Sequence, residues 1–249
     1  MTFCIGIKVE DGLVGIADTR VTSGVEYTQA RKVSTFTHND HPMFLMTSGL
    51  RSVRDKALTY FQELMAADGH SFNKLYRAVN ALADQVRQAA SEDKSALSEA
   101  GLGFDLHCLI GGQLEDDEEH KLYLLYPEGN WVEVQPGTPY SMIGESSYGK
   151  PVLTRALRYE SSLDLALKLG FLAFDATRNA ATDVYYPIDV VLYQKNSRRI
   201  LEHRFERDEL DKVAAWWQKR LRSLVDRLPG DWTAPLTGQL AKTDKPAGQ

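Results

Sequence analysis

The chain opens directly on a strand. Phe3, Ile5, Ile7 and Val9 alternate with smaller or polar residues, Asp11-Gly12 is a strong two-residue hairpin signal, and Leu13 to Ala17 form a second apolar run. The first two elements therefore read as a β-hairpin whose first strand carries the chain terminus. Chain ends are ordinarily frayed, so an end built into a strand draws attention to the residue that begins it, Thr2.

Arg31 to Phe36 and Met43 to Thr47 read as a second antiparallel pair joined by a polar loop, His38 to Pro42. The period then changes. Val53, Ala57, Tyr60, Phe61, Leu64 and Met65 fall at helical spacing, as do Leu75, Tyr76, Val79, Leu82, Ala83 and Val86, with Asp68-Gly69 between the two helices. The polar stretch Ser91 to Gly103 reads as a connection. Strands return over Phe104 to Gly111, Lys121 to Tyr126, Trp131 to Val134 and Tyr140 to Ile143. One helix starts near Tyr148. Another runs from about Ser162 to Arg178, with Ser161 and Asp164 spaced as a capping box and an apolar run, Leu163 to Phe174, that predicts burial on several sides. Tyr186 to Tyr193 and Arg199 to Phe205 read as strands, and Leu210, Val213, Trp217, Leu221, Leu224 and Leu228 mark a last amphipathic helix ended by Pro229-Gly230. Residues 1–228 are expected to form one domain that includes this helix, and 229–249 a disordered tail. Separate runs of strands and helices argue for an α+β class.

With 249 residues and 43% hydrophobic composition, the chain can bury a sizeable single core. Its net charge of −5 and the lack of a long basic run argue against nucleic acid as the main partner. The longest single-sign run, Glu115 to Glu119, is acidic and reads as a solvated hairpin loop. Two cysteines, Cys4 and Cys108, lack zinc-site spacing and are too few for a disulfide framework, so they read as buried thiols in a reducing compartment. Nothing deactivates the bland reading of Cys4 as a core residue, since no neighbour would lower its pKa. The start lacks a signal-peptide pattern, and no stretch approaches the ~18 uninterrupted apolar residues of a membrane helix. A cytoplasmic location without membrane contact is expected. His38 and His41 have no ligand partners, and the adjacent His107 and Cys108 point to opposite faces of a strand, so no metal and no cofactor are expected. Trp216 and Trp217 read as core and interface aromatics.

Three segments carry a resemblance. Thr2 opens a strand and its hairpin leads to Ala17-Asp18-Thr19-Arg20. Lys32-Val33 opens a strand and Thr47-Ser48-Gly49 leads into a helix. Gly144 to Gly149 precedes a helix pair, and Ala176-Thr177-Arg178-Asn179 precedes a strand. Together they resemble a proteasome β-subunit and, most of all through ADTR and GESSYGKPVL, the bacterial ancestral β-subunit family, Anbu. The resemblance spans roughly residues 2 to 205. It implies the N-terminal-nucleophile hydrolase fold, a four-layer αββα sandwich, and threonine peptidase or amidase chemistry. It also implies self-assembly as a homo-oligomer, in a closed ring or an open helical form. The chain contains no nucleotide-binding loop, so any ATPase would be a separate chain.

The chemistry stands on its own terms. Once Met1 is removed, Thr2 holds a hydroxyl nucleophile and an α-amine of ordinary pKa ~7.7–8.0, near working pH. The free amine can take the hydroxyl proton, as a peptide nitrogen cannot. The resemblance implies that Lys32 lies beside Thr2 and favours the unprotonated amine, that Asp18 orients Lys32, and that Arg20 supports them. It makes the Gly49 N–H an oxyanion-hole donor, a group that stabilises comparable intermediates by about 3 kcal/mol, and places Thr47 in the pocket for the substrate side chain. The family's Gly-Ser-Gly turn reads Gly144-Glu145-Ser146-Ser147 here, so Ser146, or alternatively Glu145, fills the supporting-serine role. The family's second aspartate and serine fall at Asn179 and Thr182; Asn179 lacks the charge. A non-catalytic assembly subunit and a small-molecule amidohydrolase on the same fold stay open beside the peptidase, with a peptide or protein as the latter's substrate. Each residue alone has a plainer reading: Asp18 as a strand-end residue, Lys32 as a solvated lysine, Gly49 as a helix-start glycine.

Overall fold

The computed structural model describes residues 2–23, 26–67 and 72–243. The chain begins with β1 (Phe3–Val9), β2 (Gly12–Asp18), a small hairpin of β3 (Arg20–Ser23) and β4 (Glu26–Gln29), then β5 (Val33–His38) and β6 (His41–Gly49). Two helices follow, α1 (Arg51–Ala66) and α2 (Leu75–Glu99), then β7 (Leu106–Gly112), β8 (Lys121–Leu125), β9 (Trp131–Glu133) and β10 (Tyr140–Gly144). Next come α3 (Lys150–Ala156), α4 (Leu163–Ala180), β11 (Ile188–Gln194) and β12 (Ile200–Phe205), and finally α5 (Arg207–Val225) and α6 (Ala234–Thr243).

The strands form two five-stranded antiparallel sheets, in the orders β10-β1-β2-β11-β12 and β5-β6-β7-β8-β9. Cys4, Leu13 and Ala17 of the first sheet meet Phe44, Met46, Leu109 and Leu122 of the second in a common core. α1 and α2 cover the far face of the second sheet, with Val53, Phe61, Leu82 and Val86 against Met43, Leu45 and Ile110. α4 covers the far face of the first: Phe174 meets Phe3 edge-on at 5.7 Å, and Gly170 lets the helix close onto Ile16 and Ile7. The result is the expected α+β sandwich of four layers. All seven residues of β1 are buried because a central strand in such a stack has no solvent face. Phe3 and Ile7 meet α4, whereas Cys4 and Gly6 face the second sheet. Each such aliphatic or aromatic side chain contributes roughly 1.5–3 kcal/mol relative to an exposed position.

Several elements differ from the sequence expectation. Ser91 to Glu99 continues α2, because it contains no glycine or proline and is rich in helix formers. Leu97 still packs on the core, and Gly101, at φ +73°, follows the helix end. The cap of α4 is Ser162, whose hydroxyl accepts from Leu165 N–H at 3.2 Å; Ser161 instead accepts from Arg158 N–H. α4 is buried on one broad face, with Leu165 left exposed. The acidic run is only partly solvated. Asp117 accepts from the N–H groups of Leu75 and Leu114 and so caps α2. Glu119 pairs with Lys8 at 2.9 Å, and the Lys8 side chain is buried between the sheets. The β3–β4 hairpin carries no sequence signal, because residues 26–29 are all exposed and show no apolar alternation. The Asp68-Gly69 break and Met1 lie outside the described residues.

The chain divides into two compact units, Met1–Arg207 and Asp208–Gln249. The second contains most of α5 and all of α6, so a helix lies in the stretch from which the composition promised none. Within this unit Ala214 is buried, whereas Trp216, Leu224 and Leu228 are exposed. Among the described residues, no helix is long and apolar enough to cross a membrane.

Candidate active site

Thr2 immediately precedes β1, and two separate segments hold it. Its carbonyl accepts from Glu145 N–H at 2.7 Å. On its other side, the N–H of Phe3 donates to Asp18 Oδ1 at 2.8 Å. Pairing of β1 with β10 brings Gly144 opposite Phe3, and Gly144 adopts φ +80°. A Cβ at Gly144 would stand 2.0 Å from the Thr2 carbonyl oxygen. Only glycine therefore permits this turn and this approach together.

Asp18 closes β2 and is fully buried. Besides Phe3 N–H, it accepts from Arg20 N–H at 3.2 Å and from Lys32 Nζ at 2.6 Å. Burial pushes the Asp18 carboxyl up from its ordinary range, and the Lys32 ammonium and the two N–H groups oppose that rise. Lys32 lies just before β5, and its side chain is 4% exposed. Its Nζ also donates to the Arg20 carbonyl at 2.7 Å. An ammonium has three N–H donors. Two are thus engaged, leaving one for the cavity that Lys32 lines.

That cavity has a volume of about 670 Å³, and its lining includes Thr2, Arg20, Lys32, Thr47, Gly49 and Gly144. β6 delivers Thr47 and Gly49 to it. Gly49, at φ +134°, packs against β7 so closely that a Cβ would stand 2.2 Å from the Asp105 carbonyl oxygen. The next N–H, that of Leu50, donates to the same oxygen at 2.8 Å, and α1 starts there. The Arg20 guanidinium donates to the Thr182 carbonyl at 2.5 Å and lies over the rings of Tyr27 and Tyr185, at 4.3 and 4.7 Å from their centroids. Arg20 is thereby fixed at the cavity wall, in part by Tyr27 of β4.

The structure thus gathers Thr2, Asp18, Arg20, Lys32, Thr47 and Gly49 in one place. The remaining candidates stand outside the cavity lining. Ser146 follows the Gly144-Glu145 turn, and its carbonyl accepts from Lys150 N–H. Glu145 contributes its backbone to Thr2, while its carboxylate accepts from Ser147 N–H. Asn179, near the end of α4, is turned to Asp175 at 3.5 Å. Thr182 meets Arg20 through its carbonyl, not its hydroxyl. Gly144 is the residue that sequence reasoning noted in a motif but did not place beside Thr2. Its signal was a glycine at the end of a strand, just before a polar turn. Cys4 Sγ lies 3.7 Å from the Thr47 carbonyl, and burial pushes its thiol far up; that of Cys108 is pushed up to about 12.

Two stacked antiparallel sheets between helix layers, with a buried lysine–aspartate pair below the first residues of the chain, define the proteasome type of subunit. The proteasome subunit family matches residues 2–191, and the chain belongs to it. Among solved structures it is similar to the ancestral β-subunit, Anbu. Anbu from Yersinia bercovieri superposes with a TM-score of 0.84 at 26% identity, covering 92% of this chain and 98% of that one. Anbu from Hyphomicrobium sp. strain MC1 gives 0.83 at 28% identity, covering 91% and 98%. The helical assembly of the Anbu complex from Pseudomonas aeruginosa gives 0.85 at 28% identity, covering 91% and 97%. A curated relative, proteasome subunit beta 1 of Pyrobaculum neutrophilum, is 26% identical over 198 residues, covering 78% of this chain and 91% of its own.

Proposed function

We propose that this chain is a self-assembling, proteasome-like threonine peptidase or amidase whose nucleophile is the Thr2 hydroxyl, freed with its α-amine by removal of Met1. One observation carries this reading: the fully buried Asp18–Lys32 pair, at 2.6 Å, stands at a cavity that Thr2 also lines. A lysine so anchored places a fixed positive charge beside the α-amine and favours its unprotonated form.

The α-amine then accepts the proton as Thr2 Oγ1 attacks the substrate carbonyl. The carbonyl oxygen becomes an oxyanion, and the Gly49 N–H donates to it. The C–N bond breaks, the leaving amine takes the proton, and an ester on Thr2 remains. Water, activated by the same amine, hydrolyses that ester and regenerates the hydroxyl. Thr47 bounds the pocket for the acyl-side residue, and Arg20 holds the wall against Thr182. Assembly would follow the head-to-tail pattern of the family, in which a small rotation decides between a closed ring and an open helix.

The test is an intact mass spectrum before and after incubation with a β-lactone that acylates N-terminal threonine. The expected result is loss of Met1 and one adduct per chain, absent in Thr2→Ala. A processed chain that never reacts would refute the reading. A second reading, a non-catalytic assembly subunit, draws support from Asn179 and Ser146, which lie outside the cavity lining. It predicts an intact oligomer with neither adduct nor cleavage. A small-molecule amidohydrolase would turn over acyl-amides and cleave no peptide.

A further inference from the structure

The cavity beside Thr2 is cationic, although the chain as a whole carries a net charge of −5. Arg20, Lys32, Arg51 and Arg54 line it, and Asp105 is the carboxylate among the lining residues. Two further carboxylates pair with these cations: Asp18 with Lys32, and Asp55 with both Arg51 and Arg54. Four cations thus face three anions. The imbalance is concentrated at α1, where Arg51 and Arg54 share Asp55. Arg54 holds it through Nε at 2.8 Å and Nη2 at 2.6 Å, leaving Arg51 a long contact of 3.4 Å. The Arg51 side chain is 65% exposed, so its guanidinium is free to turn. The first turn of α1 contains no acidic residue and has no side-chain cap, so its positive end adds to the field of the arginines. Asp105 is engaged by His107, with Oδ1 2.9 Å from Nδ1. Leu50 and Leu102 give this part of the cavity an apolar wall, suited to the methylene stem of a glutamate.

We propose that Arg51 and Arg54 make this a carboxylate-selecting pocket, favouring substrates with an acidic side chain, glutamate first, on the acyl side of the scissile bond. The inference rests on Thr2 as the nucleophile, because the acyl-side residue is the one whose side chain must enter the cavity while its carbonyl meets Thr2. A guanidinium meets a carboxylate in a planar, two-point hydrogen bond, whereas the isosteric amide leaves donors facing donors. Discrimination between glutamate and glutamine should therefore be about tenfold or more, the scale of one charge-assisted hydrogen bond.

The test uses peptides identical except for glutamate, glutamine, leucine or arginine at that position. Each is measured for cleavage by the assembled full-length chain, and for binding to Thr2→Ala by fluorescence anisotropy. The expected result is a glutamate-over-glutamine ratio of about ten in both assays, shrinking with added salt and falling to within about twofold in Arg51→Gln and in Arg54→Gln. The same peptides with a free or an amidated C-terminus separate a side-chain carboxylate from a terminal one; preference for the terminal group alone would overturn the assignment. Equal glutamate and glutamine values, or a ratio that survives both arginine variants, would also overturn it. Binding selectivity without turnover would reject Thr2 as the nucleophile and leave the pocket standing. Turnover without selectivity would do the reverse. No binding and no turnover of any peptide would overturn both.

Discussion

Lys32→Met is the most informative perturbation of the buried pair. The Asp18 and Lys32 side chains are 0% and 4% exposed, so removing the ammonium strands a carboxylate that water cannot reach. Taking one partner from a buried ion pair costs about 3–5 kcal/mol. Asp18 retains the N–H groups of Phe3 and Arg20 at 2.8 and 3.2 Å, which places the expected loss near the lower end, about 3 kcal/mol. The double variant Asp18→Asn with Lys32→Met keeps an oxygen for those N–H groups and removes both charges. It should recover about 2 kcal/mol relative to the sum of the single variants. The assay is urea denaturation at fixed subunit concentration, which also fixes any contribution from assembly. The pH dependence has a definite sign. Burial already raises the Asp18 carboxyl above its ordinary value of 3.8, and without Lys32 it rises further. The folded variant then binds a proton that the unfolded chain has released. The stability of Lys32→Met should therefore be highest near and below that ordinary value and fall as pH rises through the raised one. A loss under about 1 kcal/mol, or strictly additive single and double variants, would refute a tightly coupled buried pair.

Three further outcomes are expected. Gly144→Ala places a Cβ 2.0 Å from the Thr2 carbonyl at a residue with φ +80°, so it should cost at least about 1–2 kcal/mol and slow β-lactone acylation more than denaturation alone explains. Glu119 is partly buried, which would raise its carboxyl, but its hydrogen bonds to Lys8 and Lys121 prevail and hold it at about 2. Its contribution to stability is thus present above its ordinary value of 4.5 and lost as pH falls toward about 2, and Glu119→Gln should flatten an acid-denaturation curve across that window. Cys4 and Cys108 are fully buried with raised thiols, so neither should react with iodoacetamide at pH 8 until the protein is unfolded; rapid labelling of either would contradict their burial.

The strands and helices of the sandwich were legible because their apolar periods are strong: Phe3 to Val9 at period two, Leu75 to Val86 at helical spacing. What escaped lacked that signal. The β3–β4 hairpin pairs a half-buried strand with an exposed one by backbone contacts, and composition does not encode such pairing. The end of α2 is too polar to show periodicity although its residues favour helix. Asp117 and Glu119 looked like solvated charge because their partners, the α2 N-terminus and Lys8, are remote in sequence. The site divides in the same way. Asp18 and Lys32 were reached through a resemblance of motif order, and their contact follows from short strands meeting. The proximity of Gly144 to Thr2 depends on the pairing of β1 with β10, a register that no local pattern specifies.

That register also sets an order in time. The Asp18–Lys32 pair joins residues only 14 apart. The Thr2 carbonyl, by contrast, waits for Glu145 N–H, which is synthesised long afterwards and reaches Thr2 only when β10 has docked on β1. Contacts that close long loops form late. A chain ending before β10 lacks the Glu145 contact with Thr2, and it also lacks β11, whose Ile188 lies opposite Asp18. Both of the contacts that hold Thr2 are therefore complete only where the second half of the chain is packed against the first.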